Sequence, residues 1–547
     1  MKTFSLVCSL ALGLTAVAAG SPPDLLARLD YGSFQGAYSE EFNISYWQKI
    51  PWAAPPVGEN RFRGPQPPAP LPLDEPYNSS QTFDMCPQRT VNGSEDCLYL
   101  GLYSRPWTKD QPLKPVVVVF YGGGFAQGSA SFVLPPSGFP FNGETPPTNM
   151  IFGYPTLNAS SASDMLLVYA NYRTNSLGFL PGKEIAEDSH SDLNPGLLDQ
   201  EAVLQWTKKN IAHFGGDPED VAIWGQSAGG GSVLAQTIAR GGQQKLFNRA
   251  MANSPFWPKT YRYDSPEAQA QYDQLASLTG CSGPDSLACL KQVDIQKLRD
   301  ATQVILNANK YTTSYFNWAP VIDGDFLQET LSEATAAGRL NTRVAFAMHN
   351  THEGESFIPP GLRSTKNSGS PPFNSSETSF DNWLRGFLPE FRTCEIEAIK
   401  RHYPAKGVTE TIEYDTTWAR AGLIFRDVTL SCPAFWFVNA APDGGWMGEY
   451  SKEPSLHASD TFWWNRINAT QQAQPLYHKG YAGAIASFLM SGDPNTFKLT
   501  SPDVAGVPSV RDGEEWVIGD DGFSTEPSLH LKQRCDFWRK VSSRMPV

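Results

Sequence analysis

The chain has 547 residues, 40% of them apolar and 18% charged, enough to bury a large core and too apolar for a disordered protein. Its formal net charge of −13 argues against nucleic acid or an anionic lipid surface as a partner. Length alone suggests several domains, yet large single-sheet α/β enzymes reach this size as one unit.

The N-terminus reads as an address. Lys2 supplies a short positive region, Phe4 to Leu14 an apolar run, and AVAAGS a stretch of small residues. This is the pattern of an export signal over residues 1–20, cut between Ala18 and Ser21, which leaves a mature domain at 21–547. No later run reaches the roughly 18 consecutive apolar residues of a membrane span. The polar end RKVSSRMPV lacks the hydrophobic tail of a lipid-anchor signal. A secreted protein with no stable membrane anchor is expected. Six Asn-x-Ser/Thr sequons, at Asn43, Asn78, Asn92, Asn158, Asn374 and Asn468, are then candidates for glycosylation. Cys8 leaves with the signal and seven cysteines remain, none with the CxxC spacing of a zinc site, so no metal is expected. Cys86–Cys97 and Cys281–Cys289 close short loops that suit disulfides in an oxidising compartment. One of the seven must be left over.

Residues 30–110 are rich in Pro, Gly and short alternating segments, which predicts small strands and turns. Continuous apolar runs follow: KPVVVVFYGGG ending at Gly124, MLLVYANYR at 165–173, DVAIWGQS at 220–227, RAMANSPFW at 249–257 and RVAFAMHN at 343–350. Runs without alternation fit strands buried on both faces of a parallel sheet. Helix candidates lie between them, among them LLDQEAVLQWTKKNIAHF at 197–214. The alternation predicts one α/β sheet covered by helices on both sides, in a single domain. No linker, repeat or low-complexity tract divides it.

GQSAG, Gly225 to Gly229, is a G-x-S-x-G motif placed where a buried strand ends and a small-residue helix, AGGGSVLAQ, begins. Such a turn holds a serine in a strained backbone and exposes its hydroxyl as a nucleophile, here Ser227. Gly122, Gly123 and Gly124 directly follow the VVVVFY strand, where backbone N–H groups can meet developing negative charge and a side chain would block the approach. Gly123 and Gly124 are the candidate oxyanion donors, with the N–H of Ala228 at the helix start as the third.

Together with APPVGENRFRGPQPP, SEDCLYL, NYRTNSLGFL, NPGLLDQEAVLQW, FGGDPEDVAIWGQSAGGGSV and the terminal CDFW, these motifs closely resemble the type-B carboxylesterase/cholinesterase family, along nearly the whole mature chain. The resemblance implies an α/β-hydrolase fold, a mostly parallel central sheet, and hydrolysis of small-molecule carboxylic esters without a cofactor. The triad order in this fold is Ser, acid, His. Among the acids after Ser227, Glu353 in NTHEGES follows a buried strand, and the family has its catalytic Glu before Gly there; Glu355 and Asp323 compete on chemistry alone. Spacing leaves His402, His457, His478 and His530 as bases, and the resemblance assigns His457, in SLHASD. It also matches Ser254 to a serine near the triad, pairs Cys432 with Cys535, leaves Cys394 free, and makes Arg61–Glu95 a structural ion pair.

Departures from the family bear on substrate. Only ten residues, PQRTVNGSED, separate Cys86 from Cys97. The cholinesterase loop there is longer and carries a Trp for quaternary ammonium, and Gln226 replaces the Glu of cholinesterases and many relatives. Choline esters are therefore not expected. Because the same loop forms the amphipathic lid of related fungal lipases, this polar version predicts an esterase for dissolved esters, with a lipase as the alternative. The long segment 131–160 is expected to cap the site and shape its pocket. A non-catalytic relative of the adhesion type would lack a member of the set Ser227, Glu353 and His457. Nothing in the sequence points to an oligomeric state.

Overall fold

The apolar runs pair into one large twisted sheet. The computed structural model describes residues 25–88, 93–130, 153–160, 162–308, 317–465, 471, 473–499, 501–545 and 547. The expected signal at 1–20, the sequons at Asn92 and Asn468, and most of the 131–160 segment lie outside the described residues. In chain order the sheet contains β1 (Ala37–Ser39), β2 (Ile44–Pro51), β3 (Tyr99–Ser104), β4 (Lys114–Phe120), β5 (Leu166–Ala170) and β6 (Gly216–Gln226). It continues with β7 (Arg249–Asn253), β8 (Val344–Asn350), β9 (Gly444–Tyr450), β10 (Glu514–Gly519) and β11 (Gly522–Pro527). Their spatial order is β11-β10-β9-β8-β7-β6-β4-β5-β3-β2-β1. The seven strands from β5 through β4 and β6 to β10 run parallel, and antiparallel pairs finish both edges.

Burial explains the missing alternation. Val116 to Phe120 and Val221 to Trp224 are buried on both faces, because helices cover the sheet on each side. The predicted runs at 165–173 and 249–257 overshoot: their strands stop at Ala170 and Asn253, and the remaining residues turn out of the sheet. Strands β9 (GGWMGEY) and β10 (EEWVIG) were not legible in the sequence, since each carries a glutamate into the interior and β9 carries glycines as well.

Helix α1 (Pro195–Asn210) matches the predicted helix and ends in a 3₁₀ turn at Ile211–Phe214. Helix α2 (Ala228–Ile238) leaves β6 and is buried along its whole length. Helix α3 (Thr417–Arg426) continues through one π-helical turn, Asp427–Ser431, into α4 (Cys432–Ala440), forming a run buried in the core. A disulfide between Cys432 and Cys535 ties α4 to α5 (Leu529–Val541), closing a loop 103 residues long. Further disulfides join Cys86 to Cys97 and Cys281 to Cys289, while Cys394 is free and exposed. The Arg61 guanidinium meets Glu95 at 2.8 Å and also donates to the carbonyls of Leu290 and Val293, which anchors the N-terminal segment.

The glutamates of β9 and β10 enter the core as part of an ionic network. His349 on β8 stands opposite Glu449, and its Nε2 lies 3.1 Å from Glu515 Oε2. Glu449 Oε1 accepts from the Thr351 and Thr411 hydroxyls at 2.7 and 2.9 Å and from Arg426 at 3.4 Å. Arg426 and Arg534 both meet Asp427, and Arg534 also reaches Glu410. Burial would push the His349 imidazole down, but the Glu515 hydrogen bond and the charges of Glu449 and Glu515 outweigh it and hold its pKa above the ordinary value. Burial pushes the Glu515 carboxyl up. A base with a raised folded pKa stabilises the fold fully below its unfolded value, about 6.5, and the contribution is lost as pH rises through the folded value. Raised Glu515 acts in the same direction, opposing burial of a second charge. We expect wild-type thermal stability to fall as the pH climbs past about 6.5, and His349→Gln to flatten that slope. Melting temperatures at fixed ionic strength across this range provide the check.

Candidate active site

Strand β6 ends at Gln226 and α2 begins at Ala228, so Ser227 alone makes the turn, at φ 58° and ψ −127°. A side-chain-bearing residue in that region carries strain of about 1–3 kcal/mol, which the surroundings must hold. They do so through the backbone: Ser227 N–H donates to Asn253 O at 3.0 Å, and Ser227 O accepts from Phe256 and Gly231 at 2.8 and 2.9 Å. A Cβ on Gly225 would sit 2.2 Å from Gly229 O, so the flanking glycines let strand and helix meet at this angle.

Glu353 opens a 3₁₀ turn, Glu353–Phe357, just beyond β8, and is fully buried. His457 lies in the loop after β9. Its Nδ1 is 3.0 Å from Glu353 Oε2, and its Nε2 is 2.9 Å from Ser227 Oγ. The ring of Phe357 packs edge-on against the imidazole with centroids 5.0 Å apart. Parallel strands β6, β8 and β9 thus deliver all three groups to the same, carboxyl-terminal edge of the sheet. The remaining candidates sit elsewhere. Glu355 pairs with His352 and with Trp418 Nε1; Asp323 caps the turn at Asp325 and Leu327. His402 packs at a tilt against Phe537 at the surface, His478 Nε2 meets Pro155 O at 3.1 Å, and His530 is exposed.

The glycine loop follows β4 beside Ser227. Gly123 and Gly124 have φ of 119° and 64°, and a Cβ on Gly123 would lie 2.2 Å from Gln127 O. Phe125 also holds a positive φ, 57°. The loop is pinned from outside. The Gln88 carboxamide accepts from Gly128 N–H at 2.8 Å and donates to Gly128 O at 2.8 Å, and Asn175 Nδ2 donates to Pro87 O at 2.9 Å. Gln88 lies inside the Cys86–Cys97 loop, so that disulfide steadies the glycine turn; nothing in its sequence context marked it.

Asp460, three residues after His457, is a second contributor that the sequence did not reveal. Its Oδ2 accepts from Asn253 Nδ2 and the Tyr481 hydroxyl, both at 2.9 Å, and from Trp464 Nε1 at 3.2 Å. Asn350 Nδ2 reaches Oδ1 at 3.3 Å. These bonds tie the histidine loop to the ends of β7 and β8, which carry Ser254 and Glu353. Burial pushes the Asp460 carboxyl above its ordinary range, and the Glu353 charge adds to the effect. Ser254 holds φ 45°, and its hydroxyl, like Glu353 Oε1, is buried and unpartnered among the described residues.

Comparison with known proteins places this geometry. The chain is 28% identical over 546 residues to Lipase 5 of Diutina rugosa, covering 90% of this chain and 91% of that one. It is 28% identical over 492 residues to the carboxylesterase patB of Aspergillus clavatus, covering 86% and 81%. The crystal structure of Aspergillus niger EstA superposes with a TM-score of 0.78 at 23% identity, over 95% of this chain and 99% of that chain, which establishes the α/β-hydrolase fold. Residues 23–497 match the model of the carboxylesterase family, and the chain accordingly belongs to that family and is a carboxylic ester hydrolase.

Proposed function

We propose that the chain is an exported serine esterase whose nucleophile is Ser227, with His457 as general base and Glu353 as its orienting acid. The observation that carries this reading is the continuous relay from Ser227 Oγ through His457 to Glu353, at 2.9 and 3.0 Å, on a strained strand-to-helix turn. His457 Nε2 takes the hydroxyl proton as Oγ attacks the ester carbonyl carbon. The N–H groups of Gly123, Gly124 and Ala228 receive the developing oxyanion. Collapse of the tetrahedral species breaks the C–O bond, and the imidazolium returns the proton to the leaving alcohol. Water, activated by the same histidine, then hydrolyses the acyl-enzyme and frees the carboxylate. Each oxyanion donor contributes about 3–4 kcal/mol to lowering the barrier.

For substrate we favour dissolved short- to medium-chain or aryl esters, because the ten-residue Cys86–Cys97 loop is polar and too short for a lipid-facing flap. A lipase is the second reading, favoured by the relative named Lipase 5. Three disulfides and exposed sequon asparagines at Asn43, Asn78 and Asn158 suit an extracellular, glycosylated protein; Asn374 is half-buried, with its amide donated to Asn367. Hydrolysis of p-nitrophenyl esters from acetate to palmitate tests the reading. Fastest turnover of the short chains is expected. Preference for palmitate, with activation by emulsified triglyceride, would reassign the chain as a lipase.

A further inference from the structure

We infer that Gln226 is a positioning residue that favours the neutral, proton-accepting form of His457 and so extends hydrolysis into mildly acidic medium. This rests on the triad reading above and concerns a residue outside it. Gln226 closes β6 and is 2% exposed. Its Nε2 lies 3.5 Å from His457 Nε2, the same ring nitrogen that stands 2.9 Å from Ser227 Oγ. The other end of the carboxamide is turned away, with Oε1 3.2 Å from where a Cβ on Gly122 would project. The face presented to the imidazole is therefore a donor.

A donor there distinguishes the two forms of the ring. While Nδ1–H is donated to Glu353, the single lone pair of Nε2 faces both the Ser227 hydroxyl at 2.9 Å and, as a longer shared contact, the Gln226 amide at 3.5 Å. Once Nε2 is protonated it becomes a donor itself, and two N–H groups face each other. A carboxylate in this place would act oppositely, since a negative charge within about 4–6 Å favours the cation. Among the described residues the other charges around the ring are already engaged. Glu353 is on Nδ1, and Asp460 is held by Asn253, Asn350, Tyr481 and Trp464. His352 pairs with Glu355, Lys452 with Asp520, and Arg426 with Asp427 and Glu449; Glu453 is exposed.

The test compares kcat/KM from about pH 4 to 8 for wild type, Gln226→Glu and Gln226→Asn, using a short-chain ester followed by chromatographic product release. The near-isosteric Gln226→Glu should move the acid limb upward by about one pH unit, lowering kcat/KM about tenfold near pH 5, with the neutral plateau largely kept. Gln226→Asn, which withdraws the amide by one methylene, should move it in the same direction by a smaller step. An acid limb that stays in place or moves downward in Gln226→Glu overturns the inference. NMR titration of the imidazole nitrogens, assigned with His457→Asn, reads the same shift without turnover. Loss of all ester hydrolysis in wild type would defeat the triad reading, while the NMR comparison would still decide this one.

Discussion

Replacing Ser227 with alanine should lower kcat for ester hydrolysis by about 10⁶-fold while leaving the melting temperature close to that of wild type. The hydroxyl makes one side-chain contact, to His457, and the strained turn is held by backbone hydrogen bonds that alanine retains. Residual catalysis of about 10³–10⁴ over water should survive, because the glycine loop and substrate binding remain intact. Active-site titration with a stoichiometric acylating phosphonate checks the assignment independently: wild type should be labelled once, at Ser227, and Ser227→Ala not at all. Labelling at another serine would remove Ser227 from the mechanism.

The second large effect is expected at Glu353. Glu353→Gln should reduce kcat by about 10⁴-fold with KM within a few-fold of wild type. The carboxylate is fully buried, and Oε2 stands 3.0 Å from His457 Nδ1, where it holds the proton on that nitrogen in the proposed mechanism. An amide of the same shape can present its N–H to Nδ1, which forces the proton onto Nε2, and that nitrogen then can no longer accept from Ser227. Geometry is preserved and the tautomer is wrong. Combining this change with Ser227→Ala should cost little beyond the serine change alone, since both remove one concerted unit. A single-variant loss under about tenfold would make Glu353 a structural carboxylate and move attention to Asp460, whose bonds hold the same loop.

The two predictions differ in how visible their residues are from sequence. Ser227 is legible because its neighbours must be glycine: a Cβ at Gly225 would sit 2.2 Å from Gly229 O, so the strained turn writes itself into adjacent positions. The same holds for Gly123, where positive φ and the close Gln127 carbonyl exclude a side chain. Strands β4, β5, β7 and β8 and the second half of β6 show as apolar runs because both their faces are buried. By contrast β9 and β10 carry Glu449 and Glu515 inward, where His349 from β8, Arg426 from α3 and the Thr351 and Thr411 hydroxyls make those charges tolerable.

What the chain determined locally, then, is the parallel core, the strained turn at Ser227, the glycine loop and the two short disulfide loops, because each depends on residues close in sequence. Which acid and which histidine complete the relay is decided by strand order. Glu353 and His457 lie 126 and 230 residues beyond Ser227, at the ends of β8 and just past β9. Chemistry alone left Glu355, Asp323 and three other histidines in contention, and family resemblance was needed to choose. The supporting set of Gln88, Asn253 and Asp460 stayed silent for the same reason. Hydrogen bonds between distant segments impose no spacing or periodicity on the chain, so they exist only once the sheet has brought its carboxyl ends together.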